Sequence, residues 1–420
     1  MRVLLMQAGW GEAQRPERAN ALIVNTCGFI DTAREESLAA LRDLANRKQA
    51  GQVLLAAGCL SQRQGEELKH SVAGVDGILG TREWADVVAR LEQLLPTKSN
   101  ASVRPQDELS VVTSVPRLSQ GASAYVKIAD GCSAPCAFCA IPLIKGPQRS
   151  KMPAAVIAEV QQLVAQGTRE IILIAQDTSA YGRDLGRHDA LPDLLQGVLQ
   201  SQARPAWLRL MYAYPQHITP RLVHCMAAHA EVCHYLDLPL QHAHPDTLRR
   251  MQRSPDMVGV RRLIEDLRRA MPDIALRTAF IVGYPGETEQ EFAALLDFMA
   301  EMQFDKVGIF IYSCEEGTAA ARLPAQVPRA LAEERYARAM ELQRDISLAR
   351  NQSQVGRVLE VLIEGSARGV SVGRSYRDAP EIDGYVFVAG RWEPGQMVLT
   401  SIERALDYDL QGRAVPDAAH

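Results

Sequence analysis

The chain has 420 residues, enough for two or three domains. With 47% hydrophobic and 23% charged residues it has the composition of a globular protein, and no apolar run approaches the roughly 20 residues of a membrane-spanning helix. A net charge of −4 argues against a broad electrostatic grip on nucleic acid. No secretory signal is visible at Met1. Eight cysteines without such a signal point to metal or redox chemistry in a reducing compartment, so a cytoplasmic location is expected.

The first region spans 1–95. A short helix over the first nine residues precedes two apolar runs, 21–26 and 53–57, which read as buried strands ending at Cys27 and at Gly58-Cys59. Helical patterns over 32–48, 62–69 and 83–95, with a short strand at 76–80, complete an alternation that predicts a small parallel α/β sheet. Ligands of such sheets sit off the C-terminal strand ends, where Cys27 and Cys59 both fall. Two neighbouring thiols there suit a metal, although buried cysteine without a ligand is common. Residues 96–124, rich in Ser, Pro, Gln and Asn, read as a linker.

From Tyr125 the pattern becomes regular. Strands are expected at 125–129, 170–175, 208–212, 235–240, 276–282 and 306–312, with helices between them. Thr288-Glu289-Gln290-Glu291 reads as a capping box opening one of these helices. Six βα units imply a parallel barrel or partial barrel over 125–350, with its active site at the C-terminal strand ends. The loop leaving the first strand there carries Cys132, Cys136 and Cys139. Thiolates are soft ligands that favour iron–sulfur clusters and zinc. Three on one tight loop can hold three corners of a four-iron cluster and leave the last iron open to a small molecule. Structural zinc, which would need a fourth protein ligand nearby, and inert core cysteines are the competing readings. His242 and His244 read better as structural residues than as a metal pair. Cys225 and Cys233, in or beside a predicted helix, and Cys314, in the loop after the last strand, read as packing or surface thiols.

The thiol spacing, with aromatic Phe138 before the last cysteine, resembles that of the radical S-adenosylmethionine (SAM) enzymes. That resemblance implies a six-unit partial barrel whose cluster binds SAM through its open iron, and a 5′-deoxyadenosyl radical made by one-electron cleavage. It also implies that polar strand-end residues hold SAM, and Gln176, Asp177, Gln241 and Arg277 are the candidates. Such chemistry needs no side-chain general base to abstract hydrogen, so the lack of a carboxylate dyad or nucleophilic triad is no objection.

Beyond a charged helix at 330–350, the period changes again. Five short strands are expected at 357–363, 370–374, 385–388, 397–402 and 408–410, a small antiparallel barrel over 351–420. It resembles a TRAM domain, a module that often binds RNA. This copy has seven Arg and no Lys from Val355 onward, against ten Asp plus Glu, a balance that suits a basic protein partner better than a phosphate backbone.

Asn25-Thr26-Cys27-Gly28-Phe29-Ile30 and Ala57-Gly58-Cys59-Leu60 resemble the N-terminal domain of the methylthiotransferases, and the match extends over nearly the whole chain. The family holds a second four-iron cluster through three cysteines of that domain. Cys27 and Cys59 would be two of them. The third belongs to an opening strand that this sequence lacks, so a chain truncated at its start is expected. Ser313-Cys314-Glu315-Glu316-Gly317-Thr318, 378–384 and Tyr408-Asp409-Leu410 resemble the branch that modifies an aspartate of the twelfth small-subunit ribosomal protein. The resemblance therefore implies insertion of a methylthio group at the aspartate β-carbon, two [4Fe-4S] clusters, S-adenosyl-L-methionine, an electron donor and a sulfur source. The alternatives are a tRNA adenosine methylthiotransferase of the same chemistry, or a non-catalytic binding protein that keeps the fold.

Overall fold

The computed structural model describes residues 1–95 and 121–415. Most of the predicted linker, 96–120, lies outside the described residues. The chain divides into two compact units that do not follow chain order. One gathers the N-terminal region with two excursions from later in the sequence, Gly131–Pro147 and Ser313–Arg322, and the other holds the remainder. No described helix is long and apolar enough to cross a membrane.

The N-terminal region runs α1 (Arg2–Gln7), β1 (Ala21–Thr26), α2 (Asp31–Arg47), β2 (Val53–Gly58), α3 (Cys59–Ser71), β3 (Gly77–Gly80) and α4 (Val87–Leu94). The strands lie parallel in the order β1-β2-β3. Residues of the central strand β2 are buried from Val53 to Ala57, because both faces are covered. Side chains alternate along a strand. Leu54 and Ala56 therefore pack with Leu41 of α2 and with Leu60 and Leu68 of α3. Val53, Leu55 and Ala57 pack with Leu79, Val87 and Leu91 on the other side. A strand covered twice reads as an unbroken apolar run, which is how β2 stands out in the sequence. The edge strand β1 is half exposed.

In the second unit, β4 (Ser123–Lys127) runs into β5 (Ala129–Asp130), which pairs antiparallel with β6 (Arg149–Ser150). The Gly131–Pro147 excursion, with its short α5 (Ile141–Lys145), departs from β5 and returns at β6. There follow α6 (Pro153–Ala165), β7 (Glu170–Ile174), α7 (Leu191–Leu199), β8 (Trp207–Leu210), α8 (Pro220–Ala228) and β9 (Val232–Asp237). Next come α9 (Pro245–Arg250), α10 (Met257–Ala270), β10 (Ala275–Val282), α11 (Glu289–Met302), β11 (Lys306–Ile311) and α12 (Arg329–Gln352). Six parallel strands form one sheet in the order β11-β10-β9-β8-β7-β4, the predicted partial barrel. The outward residues Ile171, Leu173, Leu208, Leu210, Leu276 and Phe280 make the core with the helices. Thr288 and Glu291 form the predicted capping box on α11. The fourth barrel strand differs from expectation. It covers Val232–Asp237 rather than 235–240, which puts Cys233 in a strand and not by a helix.

The C-terminal strands β12 (Val358–Ala367), β13 (Val370–Ser375), β14 (Val386–Ala389), β15 (Met397–Ala405) and β16 (Leu410–Ala414) close a barrel in the order β12-β13-β14-β16-β15. The pairings are antiparallel except β14 with β16, which is parallel. The last strand starts where the predicted one ended.

Charge, not only apolar contact, joins this barrel to the inner face of the parallel sheet. Glu170 of β7 accepts from Arg209 of β8 at 2.7 Å and from Arg374 of β13 at 2.6 Å, with all three side chains almost wholly buried. Beside them Arg377 pairs with Asp305 at 2.5 Å, and Lys306 with Asp378 at 2.8 Å. Burial alone would push the Glu170 carboxyl up. The two guanidiniums outweigh it and hold the carboxyl at about 2. A depressed carboxylate contributes stability that is complete above its unfolded value of about 4.3. That contribution is lost as pH falls through about 2. Glu170→Gln leaves two buried guanidiniums facing each other and is expected to cost about 3–5 kcal/mol. Denaturant unfolding checks this, and a loss below about 1 kcal/mol would show that the network is not holding the unit together.

Candidate functional site

The three-thiol loop is shaped by its backbone. Cys132 N–H donates to Gly146 O at 3.0 Å and ties the loop's two ends. Gly131 precedes it at φ +75°, where a Cβ would come within 2.3 Å of Pro147 O. Only glycine fits that approach without displacing the backbone. Within the loop Cys139 N–H donates to Cys136 O at 3.1 Å, a tight turn between two ligand positions. Ala134 N–H donates to Cys132 Sγ at 3.4 Å. An N–H aimed at sulfur favours the thiolate form, and such bonds tune cluster-ligating cysteines. All three cysteines are half-buried. From the second excursion, Ala320 N–H donates to Ala137 O at 2.8 Å, pinning the loop between Cys136 and Cys139. A half-buried soft donor set held by its peptide groups fits an iron–sulfur cluster.

The other predicted thiol pair is brought together by sheet register. Thr26 and Gly58 are direct partners across β1 and β2, so Cys27 and Cys59, the next residues, leave adjacent strands at the same end. Cys27 N–H donates to Ser37 Oγ at 2.9 Å, and that hydroxyl donates back to Ala33 O at 2.8 Å. Gly28 packs so closely on α3 that a Cβ would lie 2.8 Å from Leu60 Cα. Cys27 is exposed and Cys59 half-buried. Ser37 carried no signal that could have marked it in advance. Arg63, four residues after Cys59 and thus on the same helix face, carried a weak one.

The four residues nominated for SAM fall at or beside strand ends of the parallel sheet, in different surroundings. Gln176 follows β7, and its Oε1 is buried without a hydrogen-bond partner among the described residues. Such an acceptor calls for a donor from a ligand or water. Gln241 adopts φ +73° and bridges to Phe280 of β10 through its backbone. Asp177 is engaged internally, accepting from Ser179 Oγ at 2.7 Å, Ala180 N–H at 3.1 Å and His217 Nδ1 at 3.0 Å. Arg277 pairs with Asp237 at 2.8 Å and with Asp383 of the C-terminal barrel at 3.5 Å. His242 is fully buried, with Nδ1 accepting from His244 N–H at 3.0 Å, while His244 Nδ1 accepts from Asp246 N–H at 3.2 Å to cap α9. His244 Nδ1 also lies 3.6 Å from Glu291 Oε1, but Arg250 already neutralises that carboxylate at 2.8 Å. Cys225 and Cys233 are buried, and burial pushes the Cys233 thiol up to about 12, so it stays protonated.

Comparison with known proteins follows this geometry closely. Residues 126–299 match the family model described as the Radical SAM superfamily, 355–415 match the TRAM domain, and 1–80 match Uncharacterized protein family UPF0004. A protein of Chloroflexus aurantiacus named ribosomal protein uS12 methylthiotransferase RimO is 48% identical, over 98% of this chain and 95% of its own length. One of the same name from Heliobacterium modesticaldum is 46% identical over 99% of this chain and 91% of its own. This chain belongs to the RimO family of methylthiotransferases. It is a radical SAM enzyme, with the parallel sheet and closed C-terminal barrel described above. Among solved structures, the radical SAM methyltransferase TsrM from Kitasatospora setae, with tryptophan and a SAM analogue bound, has a TM-score of 0.53 at 15% identity. That likeness covers 86% of this chain and 68% of TsrM, and concerns the fold alone.

Gly131→Val should leave the secondary structure intact but spoil the base of the thiol loop. Iron analysis after anaerobic reconstitution is expected to show at least a several-fold loss of iron bound at Cys132, Cys136 and Cys139. Full iron loading would mean that the close approach to Pro147 is not needed.

Proposed function

We propose that this chain adds a methylthio group to the β-carbon of an aspartate in ribosomal protein uS12, the twelfth protein of the small subunit. The single observation that carries the reading is the near full-length identity to RimO proteins in a chain that keeps the three-thiol loop. Cys132, Cys136 and Cys139 would hold a [4Fe-4S] cluster, and the reaction calls on an electron donor and a sulfur source. When bound, the cluster and SAM supply a radical able to take hydrogen from an unactivated carbon. The chain's own residues orient and shield. Gln176 offers its buried carbonyl oxygen to a donor of SAM, and Gln241 stands ready beside β10. Asp177 and Arg277 enter as positioning residues: one fastens the turn after β7 to His217, the other ties the sheet to Asp383.

A protein substrate is favoured over tRNA by the C-terminal barrel. Two of its seven arginines, Arg374 and Arg377, are buried in ion pairs. Fewer cations remain for a phosphate backbone than the composition alone suggests, so the surface suits a basic protein. A cytoplasmic enzyme is the matching expectation.

The test incubates the reconstituted chain anaerobically with uS12, SAM, a reductant and sulfide, and reads the uS12 mass. Gain of one methylthio group in place of one hydrogen on an aspartate is expected. Modification of tRNA with uS12 untouched would overturn the assignment. Cys136→Ala is expected to release no 5′-deoxyadenosine, and release at the wild-type rate would remove this loop from the reaction. Gln176→Leu, which deletes the buried acceptor, should weaken SAM binding about tenfold with the iron content unchanged. Equal affinity in a direct binding titration would show that Gln176 does not touch SAM.

A further inference from the structure

The cysteines are sorted by unit. Cys225 and Cys233, both buried, belong to the unit built on the parallel sheet. The other six, all exposed or half-buried, belong to the N-terminal unit and its two excursions. Three of them are the loop thiols. The remaining three are Cys27, Cys59 and Cys314.

These three converge on one face of α3. Cys59 is the first residue of that helix, and Arg63 lies one turn on, on the same side. Arg63 Nη1 donates to Gly28 O at 2.8 Å, the residue next to Cys27. The same nitrogen donates to Glu315 Oε2 at 2.8 Å, the residue next to Cys314. Arg63 Nη2 donates to Glu316 O at 2.5 Å. One guanidinium thus clips the backbone beside Cys27 to the backbone beside Cys314, while its own helix starts with Cys59. The clip is not a loose surface pair, since the Arg63 and Glu315 side chains are only 10% and 6% exposed. Ser313 Oγ donates to Glu315 Oε1 at 2.7 Å, so Cys314 is fixed on both flanks. Its side chain nonetheless remains exposed, as does that of Cys27. A backbone held rigidly around an accessible thiol is what a ligand position requires.

We propose that Cys314 completes a three-thiolate site with Cys27 and Cys59, and that this site takes an iron–sulfur cluster separate from the one on Cys132, Cys136 and Cys139. Three soft donors and no fourth suit a cluster with one open iron better than tetrahedral structural zinc. Arg63 is the positioning residue of this site. The proposal rests on the reading that this enzyme loads iron–sulfur at thiolates, and the two can fail separately.

The test starts from a full-length variant carrying Cys132→Ala, Cys136→Ala and Cys139→Ala, which leaves only the second site to load. After anaerobic reconstitution it is expected to retain about four irons per chain and to give the electron paramagnetic resonance signal of a reduced cluster. Adding Cys314→Ala should abolish that signal, whereas adding Cys225→Ala, in the core, should leave it. An unchanged signal in the Cys314→Ala protein would overturn the proposal, as would a parent variant that binds no iron. The reciprocal variant, with Cys27→Ala, Cys59→Ala and Cys314→Ala, should still bind iron at the loop and cleave SAM. If only that variant fails, the loop reading falls and the second site stands. A measurement that needs no substitution is alkylation of the wild-type chain read by mass spectrometry. Cys314 should be protected from iodoacetamide when iron is loaded and reactive after chelation, and equal reactivity in both states would also sink the idea.

Discussion

Two guanidiniums share one carboxylate at the base of the parallel sheet, and much of the larger unit follows from it. Glu170, Arg209 and Arg374 are too deeply buried to be hydrated, so each is tolerable only while the other two are present. Arg374 comes from β13, and the neighbouring pairs Arg377–Asp305 and Lys306–Asp378 likewise couple the C-terminal barrel to the sheet. A six-stranded open sheet does not close on itself and leaves an inner face to cover. Tyr376, Ala379 and Leu362 of the C-terminal barrel pack there with Ile172, Trp207 and Tyr235. Apolar burial supplies attraction without direction, and the ion pairs supply the register.

The same constraint reaches toward the strand ends. Arg277 is held by Asp237 within the sheet and by Asp383 from the barrel, and Asp383 also accepts from Tyr235 Oη at 2.7 Å. The inner face is therefore a chain of paired charges from Glu170 to Arg277, not a packed apolar interior. Asp237 is pushed up by its burial and kept in play by Arg277, so neither group is independent of the other. A module whose relatives are described by their RNA contacts serves here first as a structural wall of the enzyme.

What the sequence revealed and what it hid divide along physical lines. β2 and β7 were legible because strands covered on both faces are continuous apolar runs, and α11 because its capping box is local. β9 was displaced because Leu238-Pro239-Leu240 looks like a strand core. The true strand instead ends at Asp237, whose inward carboxylate is satisfied by Arg277, 40 residues away. β16 was misplaced for a similar reason. Gln411, Gly412 and Arg413 have little strand character of their own and are strands because barrel closure pairs them with β14. Spacing alone was enough to mark the three-thiol loop. The Arg63–Glu315 contact, spanning 252 positions, left no local trace.

The chain uses one device wherever a thiol has to stay available. At Cys132 and Cys139 the peptide N–H is bonded to a carbonyl of the same loop, and at Cys27 to the Ser37 hydroxyl. Around Cys314 the work is done by flanking residues, with Arg63 reaching Glu315 and Glu316. Gripping the backbone fixes where the sulfur starts from without burying it. Burial would raise the thiol's pKa and suppress the thiolate that metals bind, as at Cys233. Accessibility and rigidity conflict for a side chain on a free loop. They cease to conflict when the order is carried by amide groups and by residues one or two positions away. The gathering of all six accessible cysteines into one compact unit is then a consequence of where such anchoring is possible: at the ends of parallel strands, at the N-terminus of α3, and on excursions stitched to them by buried hydrogen bonds.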